Sequence, residues 1–231
     1  MPGFDCNIHL PLSFGCDAAT PLTLTLARSL SGEPQRAVFE AYVSQRFRQV
    51  HGANIHQFMP QLFGLSDHLG ALCAVAGVRL ASSGPLFLER YLDAPIETLI
   101  DLAAQRPVEG PVERQGVVEV GNLAASDTGS ARLSIIAITW LLAMDGLEWV
   151  AFTGNVGLVN SFHRLGLRPL TLCAADPERL GEDRHHWGSY YQSQPAVHVG
   201  NIRAGFIHLR NMGMFNRLGL PLSFEESSHV A

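Results

Sequence analysis

One carboxylate stands just before a loop of small residues in the middle of the chain. Glu119 lies in a β-branched apolar run, and residues 126–131 read Ser-Asp-Thr-Gly-Ser-Ala before a long apolar helix. A strand that leads into such a loop at a helix N-terminus often binds phosphate, because unpaired backbone N–H groups converge there. A carboxylate in the preceding strand is a candidate general base. The stretch 115–147 therefore predicts an anion site beside a base.

The composition restricts the functions that the chain can perform. All 16 basic residues are arginine. The lack of lysine excludes a Schiff-base lysine and the lysine of a Walker-type phosphate loop. A net charge of −5 gives no general attraction for nucleic acid. With 47% apolar residues among 231, we predict one globular domain, in which residues 1–21 form a leading arm and residues 206–231 a tail.

The apolar runs indicate a soluble, cytoplasmic protein. The first residues, MPGFDCNIHLPL, lack the basic region and the continuous apolar stretch of a secretory signal. The longest apolar run, Leu133 to Met144, is interrupted by Ser134 and Thr139. It is shorter than the roughly 20 residues that a membrane span needs. We therefore expect no membrane insertion.

The cysteines and histidines do not have the spacing of a metal site. The cysteines are Cys6, Cys16, Cys73 and Cys173. They form no CxxC pair, so we predict small buried thiols rather than a disulfide framework. His185 and His186 are adjacent, but neither a cysteine nor a downstream histidine pair accompanies them. The sequence therefore predicts no metal.

Strands alternate with helices along the chain. The patterns predict strands at residues 22–27, 61–65, 71–80, 148–153, 170–174 and 196–199, besides the strand that contains Glu119. They predict helices that start at Pro34 and cover residues 85–92, 95–104 and 155–165, with Gly166 in the C′ position. Trp140 lies in an apolar helix face, which is typical of a core residue. This order predicts an α/β (α+β) fold with a mixed sheet.

The segment NVGLVNSFHRLGL, after the strand EWVAFT, resembles the closing strand–helix unit of the GNAT superfamily of acyl-CoA N-acyltransferases. In that unit an Asn opens the helix, an aromatic residue follows seven positions later, and a Gly-apolar pair ends it. Asn155, Phe162, Gly166 and Leu167 occupy these positions. The resemblance implies a GNAT-like fold with a mixed central sheet flanked by helices.

The aromatic residue of this unit is often a tyrosine that protonates the departing thiolate. Phe162 has no proton to give. The acid is therefore either absent or supplied by His163, Tyr190 or Tyr191.

Residues 77–125 resemble the core of the N-acyl-homoserine-lactone synthases, a GNAT-like family of autoinducer synthases. The matching residues are Gly77, Arg79, Leu80, Gly84, Pro85 and Glu119. Gly121 and Asn122 stand where that family has Ser and Arg, and the acidic pair that holds the amino group of S-adenosylmethionine is not found. Both departures weaken S-adenosylmethionine as a substrate.

Over nearly its whole length the chain resembles proteins of the thermostable hemolysin family. The shared stretches include HGANIHQFMPQLFG, GPLFLERYLDAPIE, VEVGNLAAS and WGSYY. That family name implies membrane lysis, but the sequence has no amphipathic stripe, membrane span or lysine-rich face. The GNAT-like motifs are therefore the better guide, and a membrane-active, non-catalytic protein is kept as an alternative.

The resemblance implies roles for the stretch around Glu119. Backbone N–H groups of Val120, Gly121, Asn122 and Leu123 would polarise a thioester carbonyl and bind the pantetheine arm. The donor's phosphate would lie on the loop residues Ser126, Gly129, Ser130, Ala131 and Arg132, with Asn155 and Phe162 also at the donor. Asp127 is unfavourable beside a phosphate, so acyl-carrier protein, which brings a single phosphate, fits this loop better than CoA.

Three groups keep two interpretations each. Glu119 is either the base or a structural carboxylate bonded to Arg79 or to backbone. Arg46 either contacts an anionic substrate or supplies ordinary charge at a helix C-terminus. Like Arg46, Arg79 is assigned to the substrate site. The aromatic residues near 190, which include Trp187 and Tyr191, either line an acceptor pocket or pack a surface loop.

We predict an N-acyltransferase that moves an acyl group from acyl-CoA or acyl-carrier protein to the amine of a small molecule or amino acid, in natural-product or signal biosynthesis. The alternatives are an autoinducer-synthase-like enzyme that acts on S-adenosylmethionine and a hemolysin-type protein without catalysis.

Overall fold

A computed structural model describes residues 10–16, 22–105 and 110–222 of the chain. Eight strands form one sheet in the order β1-β2-β3-β4-β5-β6-β8-β7. The strands are β1 (Leu12–Cys16), β2 (Leu22–Leu30), β3 (Gln61–Ser66), β4 (Leu72–Leu80), β5 (Val117–Ala125), β6 (Trp149–Gly154), β7 (Leu170–Ala174) and β8 (Ala196–Asn201). The helices are α1 (Pro34–His51), α2 (Ile96–Ala104), α3 (Thr128–Met144), α4 (Val156–Arg164), α5 (Ile202–Asn211) and α6 (Met214–Leu218).

The sheet is antiparallel except at its centre, where β5 and β6 run parallel. Their pairing covers only Val117–Val120 opposite Trp149–Phe152, although both strands continue beyond it. In the second half of β5 the register against β4 shifts, and Asn122 has φ of +48°. Such a bulge bends a strand away from its neighbour. The two central strands therefore part after Val120 and leave a gap.

Alternate residues of β5 point to opposite faces of the sheet. Val118 belongs to the core that α3, α5 and α6 cover. Val117 belongs to a second core, which contains α2 and the 3₁₀ turn Leu88–Tyr91. The helix α1 packs on this second face over β3 and β4, through Phe39 and Val43. Because Glu119 is two residues after Val117 in the strand, its side chain also lies on the second face.

The predicted mixed α/β sheet is confirmed, as are the predicted strands between residues 22 and 199. Pro34 is the first residue of α1, and Asn155 caps α4. The predicted helix at 85–92 is wrong, because only Leu88–Tyr91 is helical, as a 3₁₀ turn. The Arg90 N–H donates to the Phe87 carbonyl and the Leu92 N–H to the Glu89 carbonyl, and these bonds between residues three apart are those of a 3₁₀ turn.

Both ends of the chain contribute more structure than predicted. Leu12–Cys16, placed in the leading arm, pairs with β2 at the edge of the sheet. The assumed tail contains the end of α5 and all of α6, with Leu209 and Phe215 fully buried. The remaining parts of the predicted arm and tail lie outside the described residues; they are residues 1–9, 17–21 and 223–231. Helix α5 was missed because the predicted boundary of the tail, at residue 206, divides it, although Ile202, Phe206 and Leu209 have the spacing of one helix face.

Three further expectations concern the core, the thiols and the membrane. Trp140 is 1% exposed, and its indole N–H donates to the Pro221 carbonyl at 2.7 Å. Cys73 and Cys173 are free thiols, half-buried rather than fully buried. In the described ranges no helix combines the length and the apolar character that crossing a bilayer requires. The same ranges contain no cluster of three or more His, Cys, Asp or Glu side chains arranged to hold a metal.

Candidate active site

A cavity of about 820 Å³ opens where β5 and β6 part. All four backbone positions predicted to receive the thioester, Val120 to Leu123, line it. Beyond Phe152 no strand in the described part of the chain pairs with this edge of β5. Backbone groups at the edge are therefore positioned to meet a ligand that enters the gap.

Asn122 shapes this part of β5. Its side-chain oxygen accepts a hydrogen bond from the Met59 N–H at 2.7 Å, and its amide donates to the Gln57 carbonyl at 3.3 Å. Gly77 and Gly121 leave room for the segment so held, since a Cβ at either would lie 2.6 or 2.5 Å from the Met59 side chain. Gly121 and Asn122 thus accommodate and fasten the segment 57–59 at the cavity wall.

Glu119 lies on the cavity wall and is 3% exposed. Its two carboxylate oxygens accept hydrogen bonds from the backbone N–H groups of Phe87, at 2.7 Å, and Leu88, at 3.0 Å. Burial raises the pKa of Glu119 to about 7, against the opposing effect of these bonds and of Arg79. The carboxylate is thus bonded to backbone, as the structural interpretation expects, and it also lies on the cavity wall, where its role as a base stays a prediction. It can gain or lose a proton near neutral pH.

Arg79 is the cross-strand partner of Glu119 in the β4–β5 ladder and lines the same cavity. The two side chains form no ion pair. The guanidinium donates one hydrogen bond of 3.3 Å to the Pro85 carbonyl. Most of its five N–H donors therefore remain available beside the carboxylate.

Aromatic side chains form one wall of the cavity. Its members are Phe47, Phe87, Tyr91, Trp187 and Tyr190. The Trp187 ring lies 5.7 Å from Phe87 and 5.3 Å from Tyr190, measured between ring centroids. Of the predicted acceptor residues, Trp187 and Tyr190 are thus at the cavity. Tyr191 lies behind them, with its hydroxyl 2.6 Å from that of Tyr91, and His185 and His186 are exposed.

The three side chains proposed as the acid occupy different places. Tyr190 lines the cavity, and its hydroxyl donates to the Thr153 carbonyl at 3.5 Å. Burial raises its pKa, so the hydroxyl keeps its proton at neutral pH. His163 is exposed and does not line the cavity, and neither does Tyr191. Phe162, at the family's tyrosine position, lines the cavity and stacks on Phe152 with 4.7 Å between centroids.

The loop after β5 is closed by its own aspartate. The Asp127 carboxylate accepts from the N–H groups of Gly129, at 2.7 Å, and Ser130, at 2.9 Å, and from the hydroxyls of Ser126 and Ser130. These bonds hold the pKa of Asp127 at about 2. The two N–H groups expected to bind phosphate are therefore occupied by Asp127 in this conformation. Ala131 lines the cavity, whereas Ser126, Gly129, Ser130 and Arg132 do not.

Arg46 lies at the mouth of the cavity and holds the end of β5. Its Nε donates to the Ala125 carbonyl at 3.0 Å, and an Nη donates to the Ser126 carbonyl at 3.2 Å. A third bond reaches the Gln49 side chain at 3.1 Å. Arg46 thus stabilises the loop and lines the cavity, and a substrate anion could meet only its remaining N–H groups.

The cavity continues between the sheet and the helices α3, α4 and α5, and we call this part the tunnel. Its α3 wall consists of Ala131, Ser134, Ile135, Ile138, Thr139 and Leu142. Its other walls include Val150, Phe152, Leu158, Phe162, Leu167, Ile202, Gly205 and His208. Asn155 lines the cavity and caps α4 through the Leu158 N–H at 3.1 Å. Sequence reasoning missed the tunnel, because an apolar helix face that lines a cavity has the same pattern as one that fills a core.

The mixed sheet with its parted central strands is a GNAT-like fold. The sequence profile of the thermostable hemolysin family matches residues 30–206, and the chain belongs to that family. A search of curated proteins gave no significant match.

Solved structures support the fold assignment. TofI is 14% identical with a TM-score of 0.51, and the match covers 79% of this chain and 95% of TofI. FeeM, an N-acyl amino acid synthase from uncultured soil microbes, is 15% identical with a TM-score of 0.50, over 78% of this chain and 92% of FeeM. The AHL synthase LasI matches at 11% identity and a TM-score of 0.49, over 78% and 89%. At these identities the likeness to TofI and FeeM shows the fold alone.

Proposed function

We propose that the protein is an N-acyltransferase that moves an acyl group from a thioester to the amine of an amino acid or a similar small molecule. The observation that carries this proposal is a buried carboxylate, Glu119, with a pKa of about 7 on the wall of a cavity that continues as an apolar tunnel. The carboxylate supplies a base near neutral pH, and the tunnel supplies room for an acyl chain.

The reaction uses the groups around the gap between β5 and β6. Glu119 takes a proton from the acceptor's ammonium, and the neutral nitrogen attacks the thioester carbon. The carbonyl oxygen becomes an oxyanion, which backbone N–H groups of β5 stabilise. The C–S bond then breaks, and the departing sulfur takes a proton from Tyr190. The second proton lost by the nitrogen restores the tyrosine, and Glu119 releases its proton to solvent, which leaves an amide and a free thiol.

Arg79 and the aromatic wall favour an amino acid as the acceptor. An amine beside Glu119 places a carboxylate of the same small molecule near the free N–H groups of Arg79. The aromatic wall then faces the remaining part of the acceptor, which favours an apolar or aromatic side chain. S-adenosylmethionine is disfavoured, because residues 51–64 contain no acidic residue in the region where the resemblance to the autoinducer synthases implies an acidic pair for its amino group.

Two features favour acyl-carrier protein over CoA as the donor. Asp127 occupies the N–H groups that would bind a nucleotide phosphate. Residues 155–174 and 196–222 contain no Asp or Glu. The exposed arginines of these two ranges include Arg164, Arg168, Arg203 and Arg210. None of the four forms an ion pair with a described residue. A surface formed by these ranges would be positively charged and would suit an acidic carrier protein.

The test measures thiol release from acyl-carrier-protein and acyl-CoA donors of several chain lengths, with a panel of amino acids and S-adenosylmethionine as acceptors. We expect turnover with an apolar amino acid and a loss of at least about 100-fold in kcat for Glu119→Gln. Glu148→Gln, which changes an exposed carboxylate, is the control and should leave turnover unchanged. Absence of turnover with every pair, or full activity of Glu119→Gln, contradicts the proposal.

A further inference from the structure

One histidine on the cavity wall has no part in the acyl transfer described above. His51 is the last residue of α1, is half-buried and lines the cavity. No described residue forms a hydrogen bond with either of its ring nitrogens, whereas the rings of His198 and His208 each bond to a backbone carbonyl. A neutral imidazole has one nitrogen that accepts a proton and one that donates. Both nitrogens of His51 therefore remain available to a ligand in the cavity.

The position of this ring is fixed although its nitrogens are free. The Ser189 N–H and hydroxyl donate to the His51 carbonyl at 2.8 and 3.2 Å. Gly188 permits this approach, since a Cβ there would lie 2.1 Å from the same carbonyl oxygen. The imidazole stands edge-on to Tyr190, with 5.3 Å between ring centroids and 86° between planes, and lies 6.0 Å from Phe47. The imidazole is therefore held in contact with the Tyr190 ring.

His51 and Tyr190 lie at the gap between the parted strands. Tyr190 donates to the carbonyl of Thr153, which follows the last β6 residue paired with β5. Helix α1 reaches the other strand of the gap, where Arg46 bonds to the carbonyl of Ala125 at the end of β5. Because the proposed reaction takes place at this gap, both side chains border the space that the reacting groups occupy.

The two side chains hold their protons with opposite strength. Burial lowers the pKa of His51, so its imidazole is neutral at neutral pH and can accept a proton. Burial raises the pKa of Tyr190, so a tyrosinate formed there readily recovers a proton from an imidazolium. The other ionisable side chains on the cavity wall are Arg46, Arg79, Tyr91, Glu119, Asp127, Arg168 and His208. None of them contributes to the lowered pKa of His51.

We propose that His51 takes the second proton of the attacking nitrogen and passes it to Tyr190. This inference rests on the proposed acyl transfer and assigns one of its steps to a further residue. After the nitrogen has attacked the thioester carbon, its second proton moves to the imidazole. The oxyanion then re-forms the carbonyl, and the C–S electron pair leaves with the sulfur, which takes the Tyr190 proton. The imidazolium gives its proton to the tyrosinate, so both side chains return to their starting state.

The test is the thiol-release assay with the acyl donor and amino acid that the native protein uses. We expect kcat of His51→Gln to fall about 10- to 100-fold with little change in KM. At the acidic end of the pH profile, log kcat of the native protein should fall with a slope of about 2, because Glu119 and His51 must both be unprotonated. The slope for His51→Gln should be about 1.

Two further measurements separate proton transfer from a role in the fold. Imidazole added to His51→Ala should restore part of its kcat, because this variant leaves room for the imidazole at the same place. His56→Gln is the matched control, since it changes an exposed histidine that does not line the cavity. It should keep the native kcat and the native slope.

Each outcome decides the inference. A lower kcat with a slope of about 1 and rescue by imidazole supports it. Native kcat in His51→Gln overturns it and leaves the proposed function standing. A lower kcat with an unchanged slope and no rescue also overturns it, since His51 would then only support the fold. Absence of acyl transfer by the native protein contradicts the proposed function and this inference with it.

Discussion

Replacing Glu119 by glutamine should change how the stability of the protein depends on pH. The Glu119 pKa is raised from its usual 4.5 to about 7 because the carboxylate is buried. Between these two values the folded state binds a proton that the unfolded state releases. The free energy of unfolding therefore falls as the pH rises through this window and levels off above pH 7. Glutamine cannot ionise, so the variant lacks this contribution.

The magnitude follows from the two pKa values. Ionisation of one group with this shift costs the folded state about 3 kcal/mol above pH 7. Over the experimentally convenient range from pH 5 to pH 8, the same relation gives about 2.5 kcal/mol. Glutamine keeps one oxygen that can accept from the N–H groups of Phe87 and Leu88. Its loss of the second acceptor adds an offset that does not vary with pH.

The assay is urea denaturation of both proteins at several pH values, read by circular dichroism. The unfolding free energy of the variant minus that of the native protein should rise by about 2.5 kcal/mol from pH 5 to pH 8. Glu148→Gln, at an exposed position, controls for the general loss of one negative charge. A difference that stays constant with pH would refute the argument, since the carboxylate would then titrate alike in both states.

Three more substitutions test the site. Asp127→Ala removes the cap of α3 and should cost about 1 kcal/mol in urea denaturation, and unchanged stability would mean that the cap bonds contribute nothing. Gly77→Ala places a Cβ 2.6 Å from the Met59 side chain and should destabilise by about 1–3 kcal/mol, whereas Gly200→Ala, with 3.5 Å of clearance, should be tolerated. Tyr190→Phe should lower kcat for acyl transfer at least about tenfold with little change in KM, and an active variant would exclude Tyr190 as the acid.

The sequence was sufficient to predict the strands and most helices. Alternating and fully apolar runs report directly which faces of a strand are buried, and Pro34, Asn155 and Gly166 mark helix ends through local backbone geometry. The same reasoning led to Glu119, because a lone carboxylate in an apolar strand contrasts with its neighbours. It did not yield α5, which the assumed boundary at residue 206 divides, or α6, whose five residues are too few for a period to appear.

Only the tertiary structure decided how the predicted site residues are arranged. Whether Asp127 repels a phosphate or caps the helix depends on where its carboxylate points, and it accepts from the N–H groups of Gly129 and Ser130. Whether His163 or Tyr190 faces the cavity depends on how α4 and the segment near residue 190 pack on the sheet. Such contacts join residues far apart in the chain, so no local pattern records them.

The pKa of Glu119 shows the same division. The sequence by itself places one carboxylate among apolar residues, and this determines that it is buried once the strand enters the sheet. The tertiary structure alone brings it to the backbone N–H groups of a turn about 30 residues away and onto the wall of a cavity between parted strands. Burial follows from local composition, whereas bonding partners and access to a ligand follow from the path of the whole chain.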